Sequence, residues 1–192
     1  MTLGVGRLIS AGEDGEILGV QQALDRACSL LRTHPRIVFM MCGIAGSGKT
    51  TFAQALEGMG CRRLSIDEEI WRTYGRFGVD YPEDEYPILQ ASAEKILREL
   101  LVEMLQTGTK AVIDFSFWKS QTRADYRELV HRNGHHCQIV FLKVPENVLR
   151  ERLVNRASRR DANAAFPITD DLLQRYIQGF EPPSGQDAWT VE

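Results

Sequence analysis

Gly43-Ile44-Ala45-Gly46-Ser47-Gly48-Lys49-Thr50 decides how this chain folds. The stretch satisfies G-x-x-x-x-G-K-[ST] at every fixed position, a spacing that average composition yields by accident in on the order of one chain in a hundred of this length. Its flanks agree with it. Arg36-Ile37-Val38-Phe39-Met40-Met41-Cys42 is an almost unbroken apolar run, as a strand buried on both faces requires. After it, Phe52, Ala55, Leu56 and Met59 recur at helical spacing until Gly58 and Gly60 supply a stop. Strand, glycine loop and helix form a phosphate cradle. Glycines let backbone N–H groups converge on phosphate oxygens, and the helix N-terminus adds partial positive charge. Gly43, Ala45, Gly46, Ser47, Gly48, Lys49, Thr50 and the adjoining Thr51 are therefore the candidate nucleotide-binding set, with Lys49 on the outer phosphates and the Thr50 hydroxyl on Mg²⁺.

Outward from this loop, apolar periodicity predicts further strands over 62–66, 110–115, 137–144 and 188–191. Helices are predicted over 16–32, from 67 to 74, from about 88 to 107, around Leu129-Val130, from Pro145 into the arginine cluster, and over 169–178. In the long fourth helix Ile88, Ala93, Ile96, Leu97, Leu100, Leu101, Met104 and Leu105 are expected on the inner face. Strands alternating with helices imply a parallel sheet in a three-layer α/β/α arrangement. The helix over 16–32 precedes the first strand. It is expected to lie against a sheet edge or to cover a contact in a homodimer, leaving 1–35 as an extension to a domain over 36–192.

At 192 residues the chain is long enough for one full core. A net charge of −3 disfavours a dedicated nucleic-acid binder. No apolar stretch reaches the length of a membrane span, and acids at 13, 14 and 16 interrupt any secretory leader. Cys28, Cys42, Cys61 and Cys137 lack a C-x-x-C pair and read as reduced thiols of a cytoplasmic protein. His131, His135 and His136 have no partners at ligand spacing and read as strand-edge residues.

Three groups carry candidate chemistry. Asp67 follows the second strand, on the rim where open α/β sheets bind ligands, and can accept the proton of an attacking hydroxyl. Glu68 and Glu69 beside it read as helix-start charges. Asp114 ends Ala111-Val112-Ile113 and can hold Mg²⁺ through water. The next residue is Phe115, not a glutamate that would polarise water, and no N-K-x-D motif occurs, which favours transfer to a hydroxyl over hydrolysis. Arg150, Arg152, Arg156, Arg159 and Arg160 cluster with a single acid, Glu151, ahead of a small-residue run, as a closing lid over about 150–168 would. Arg152, Arg156 and Arg160 are candidate phosphate ligands, and Arg156 is placed on the transferring group; the spacing leaves Arg152, Arg159 and Arg160 open for the same role. Half of the aromatics, among them Trp71, Tyr74, Phe77, Tyr81, Tyr86, Phe115, Phe117 and Trp118, fall where they can line an acceptor pocket or pack a core.

These segments together resemble the small P-loop kinase group that includes zeta toxins, chloramphenicol phosphotransferase and the kinase domain of polynucleotide kinases. Gly43 to Thr50 resembles the phosphate loop, Leu64-Ser65-Ile66-Asp67 the segment with the catalytic acid, and Val112-Ile113-Asp114 the third strand. Val140-Phe141-Leu142-Lys143-Val144-Pro145 and Leu149-Arg150-Glu151-Arg152-Leu153-Val154-Asn155-Arg156 resemble the fourth strand and lid helix. Tyr176 and Phe180-Glu181-Pro182-Pro183 are similar to the tail of bacterial members. The resemblance implies a five-stranded parallel sheet of order 2-3-1-4-5, ATP with Mg²⁺, and phosphorylation of a hydroxyl on a small-molecule acceptor. Polynucleotide kinases carry an arginine three residues after the acid. Here that position is Ile70, which weighs against a polynucleotide 5′-hydroxyl. A non-catalytic ATP-binding regulator is the further alternative.

Overall fold

A computed structural model of the protein describes residues 16–156, 161–162, 168–183 and 188–192. Its centre is β2 (Ile37–Cys42), buried along its whole length. Because strand side chains alternate, this one strand supplies both cores. Val38, Met40 and Cys42 face α4 (Tyr86–Gln106) and α5 (Ser120–Arg132), meeting Leu97, Leu101, Tyr126 and Val130. Ile37, Phe39 and Met41 face α1 (Val20–Thr33) and α2 (Lys49–Gly58), meeting Ala23, Ala27, Phe52 and Leu56. Three layers result, as the alternation of elements requires.

The other strands are β1 (Ile17–Leu18), β3 (Arg62–Leu64), β4 (Ala111–Ile113), β5 (His136–Leu142) and β6 (Ala188–Val191). All pair in parallel, in the order β1-β6-β5-β2-β4-β3. The expected order 2-3-1-4-5 is present as β3-β4-β2-β5-β6, but the sheet has six strands and not five. Ile17 and Leu18, expected to be helical, instead pair with Thr190 and Val191, and Gly19 then starts α1. Two residues are too few to show a period, so composition could not reveal them.

Two further expectations are corrected. Ile88 and Ile96 of α4 point outward, 70% and 40% exposed, because the buried stripe runs through Ala93, Leu97, Leu101, Met104 and Leu105. The second strand stops at Leu64, and Ser65 caps α3 (Ile66–Tyr74) by accepting from the Glu68 backbone N–H at 3.5 Å. The remaining helices are α6 (Glu146–Arg156) and α7 (Asp170–Gly179), the latter capped by Thr169. Leu149, Leu153 and Leu173 of this pair pack against the partly buried Ile44 and Ala45, so the helix after β5 rests directly on the glycine loop. The apolar stripe of α1 packs within the chain through Ala23, Ala27 and Leu31. None of the four cysteines forms a disulfide.

Candidate active site

The loop between β2 and α2 is built for a ligand with oxygens. Gly43 has φ +146°, and a Cβ there would lie 2.8 Å from Ser47 Oγ and 2.9 Å from the Leu142 carbonyl, so only glycine fits. Gly48 starts α2 in the left-handed region at φ +99°. Ser47 Oγ is buried and, among the described residues, has no hydrogen-bond partner. An orphaned hydroxyl inside a glycine cradle at a helix N-terminus fits a phosphate. Lys49 Nζ donates to the Ile44 carbonyl at 3.0 Å, and Arg152 Nη1 donates to the Gly46 and Ser47 carbonyls at 3.3 Å each. Thus α6 holds the loop from outside while Lys49 holds it from within.

Strand order brings the acids to the side of this loop, since β4 pairs with β2 and β3 lies just beyond it. Asp67 sits in the first turn of α3 and its Oδ1 accepts from the Tyr86 hydroxyl at 3.1 Å. Loss of water raises its pKa above the usual carboxylate range; the charge of Arg156, the Tyr86 hydrogen bond and the charge of Lys49 pull the other way. Burial likewise lowers the Lys49 ammonium, opposed by Asp114 and Asp67. Asp114 is buried at the end of β4. Desolvation raises its pKa, opposed by Lys49, by Arg63 and by a hydrogen bond with Thr50. Burial and Asp67 together push the Tyr86 phenol up.

A cavity of about 960 Å³ joins these groups. Every residue of the loop from Gly43 to Thr51 lines it, with Asp67, Asp114, Arg152 and Arg156. Residues 38–183 match the family described as AAA domain, about three quarters of the chain. This chain belongs to that family. A curated relative, "Probable gluconokinase" of Dictyostelium discoideum, is 27% identical over 127 residues, covering 63% of this chain and 62% of its own length. The chain thus spans less than two thirds of that relative. Among solved structures, a Chloroflexus aurantiacus protein described as a kinase has 21% identity and TM-score 0.66, covering 82% of this chain and 88% of its own. A gluconokinase from Sinorhizobium meliloti has 20% identity and TM-score 0.55, covering 82% of each chain. The P-loop kinase fold expected from the sequence is the fold of this AAA-domain chain.

Not every expected arginine reaches the site of this AAA-domain protein. Arg150 turns away and pairs with Glu146 at 2.7 Å and with Asp170 of α7. Arg159 and Arg160 lie outside the described residues. Asp114 is not a solitary strand-end acid: Arg63 Nη1 donates to its Oδ2 at 2.8 Å, with both side chains almost fully buried. Nothing in the sequence marks Arg63, because one arginine in a short strand beside Arg62 looks like surface. Phe117, in turn, takes φ +43°, which costs a non-glycine residue on the order of 1 kcal/mol. Its carbonyl accepts from Arg123 Nη1 at 2.8 Å, and the neighbouring Ser116 carbonyl accepts from the Gly43 N–H at 3.1 Å. The segment after β4 is thereby tied to the start of the phosphate loop. Of the aromatics, Phe52, Tyr86, Phe115, Phe117, Trp118, Tyr176 and Phe180 border the cavity. Trp71, Tyr74, Phe77 and Tyr81 do not; Phe77 and Tyr81 pack edge-on against each other near α3. No cluster of three metal-ligating side chains exists among the described residues, and no described helix is long and apolar enough to cross a membrane.

Proposed function

We propose that this chain is an ATP-dependent kinase that transfers the γ-phosphate to a hydroxyl of a small-molecule acceptor. One observation carries the reading: Asp67 lines the same cavity as Lys49 and Arg156, with one carboxylate oxygen already engaged by Tyr86. Its Oδ2 is the atom that takes the acceptor's proton. The hydroxyl oxygen then bonds to the γ-phosphorus, the bond from that phosphorus to the β–γ bridging oxygen breaks, and ADP leaves with the electron pair. Lys49 and Arg156 offset charge on the phosphates, and Arg152 keeps the loop in shape.

Thr50 and Asp114 suit Mg²⁺ bound through water and phosphates, since that ion needs only one or two carboxylates. Such an ion supplies further neutralisation of phosphate charge. In this reading 36–192 is the kinase domain and 1–35 its extension; the lid expected over about 150–168 falls partly outside the described residues. Cysteines without disulfides fit a cytoplasmic setting.

One feature favours a small acceptor. Ile70, where polynucleotide kinases have arginine, is buried against Tyr81 and Ala93. The gluconokinase relative makes polyols and sugar acids the first acceptors to try. Incubation with labelled ATP, Mg²⁺ and a panel of these, alongside a 5′-hydroxyl oligonucleotide, is the test. Label in a small product is expected. Transfer only to the oligonucleotide, or ATP binding with no transfer to any acceptor, would overturn the proposal.

A further inference from the structure

The cavity has a second end that the kinase reading leaves unassigned. Relative to β2, the acids lie toward β4 and β3, whereas β5, β6 and β1 lie on the opposite side. Past the phosphate loop the cavity continues onto that opposite side. There its walls are Val20 and Leu24 of α1, Thr51, Gln54 and Ala55 of α2, and Val191 of β6.

The position of α1 at this rim is fixed by the extra strand. Since β1 runs parallel to its neighbour β6, its carboxyl end reaches the same rim as the phosphate loop, and α1 begins one residue later. The Leu18 carbonyl accepts from the Glu192 N–H at 3.0 Å, and the Gln22 side chain accepts from the Gly19 N–H at 3.0 Å. Val20 and Leu24, four residues apart, share one face of the helix. Val20 is a large hydrophobic left 52% exposed, and Leu24 is half-buried.

We infer that the first turn of α1 forms one wall of the subsite for the nucleoside of the donor nucleotide, with the base packing on Val20 and Leu24. The inference rests on the reading of the site as an ATP-dependent kinase. Given that reading, the direction of the nucleotide follows from topology. The γ-phosphate must point toward Asp67, so the base extends the other way, toward β6 and α1. A base presents flat apolar faces, and aliphatic side chains remove them from water. These residues precede the segment that matches the AAA-domain family, so the chain's own extension would complete a site that the family segment begins.

The experiment compares Mg²⁺-ATP with inorganic tripolyphosphate, which carries the phosphates without a nucleoside, on the wild-type chain and on Val20→Ser/Leu24→Ala. Wild type is expected to bind ATP the more tightly, and the double variant to lose about tenfold for ATP while tripolyphosphate stays within about twofold. Val20→Ser alone, at an exposed site, should show the same selectivity in smaller measure if the double variant is destabilised. Equal losses for both ligands, or unchanged ATP affinity, would overturn the inference and leave the kinase reading standing. Failure of the wild-type chain to bind either ligand would overturn the kinase reading, and the inference with it.

Discussion

Replacing Tyr86 by phenylalanine removes one oxygen and should move the acid limb of the pH–rate profile. In the folded protein that hydroxyl donates to Asp67 Oδ1 at 3.1 Å. It stabilises the ionised carboxylate, holding its pKa down against the burial that raises it. A hydrogen bond to a charged group contributes about 1.5–3 kcal/mol, so the ionised form loses about that much support and the carboxyl of the variant should titrate higher. Transfer requires the ionised form. The acid limb of kcat/KM in Tyr86→Phe should therefore shift to higher pH, with the rate recovering toward wild type above it. ATP affinity should not change, because the Tyr86 hydroxyl supports the acid, which holds no phosphate in this reading. Stability follows the same sign. A carboxyl whose folded pKa lies above its unfolded value favours folding at low pH, and that contribution is lost as pH rises through the folded value. The pH-dependent deficit of the variant should thus be present at neutral pH and absent near pH ~4 or below. An unmoved limb, or a loss of rate that no pH restores, would refute the reasoning.

Lys49→Ala should weaken Mg²⁺-ATP binding by roughly 10- to 100-fold in calorimetry, the loss of a charge-assisted phosphate contact, and leave the chain folded; unchanged affinity and turnover would remove the loop from the site. Asp67→Asn should keep ATP binding and lose roughly 10²–10⁴ in transfer rate, while its melting temperature at pH 7 is held or raised because burial disfavours the carboxylate. Arg63→Ala leaves the buried Asp114 carboxylate without its guanidinium and should cost about 3–5 kcal/mol in denaturant unfolding. A fall of under about 1 kcal/mol would show that Arg63 and Asp114 are not a buried pair in solution.

The sequence by itself determined the phosphate loop and the parallel α/β class, while the order of five strands came only with the family resemblance. The first two could be read because glycine positions, unbroken apolar runs and helical stripes are local signals, each set by backbone sterics or by burial of a face. Asp67 and Asp114 were legible for the same reason, as acids just past strand-like runs. What only the tertiary structure decided lies between segments distant along the chain. Arg63 pairs with Asp114 across neighbouring strands, Tyr86 reaches Asp67 from the next helix, and Arg150 leaves the arginine cluster because Asp170 of α7 comes within reach. The sixth strand exists only because β6 offers an edge to Ile17 and Leu18, and that pairing carries Val20 and Leu24 to the rim of the site. Two residues carry no period of their own, so their conformation is set by the partner they meet and not by the sequence around them.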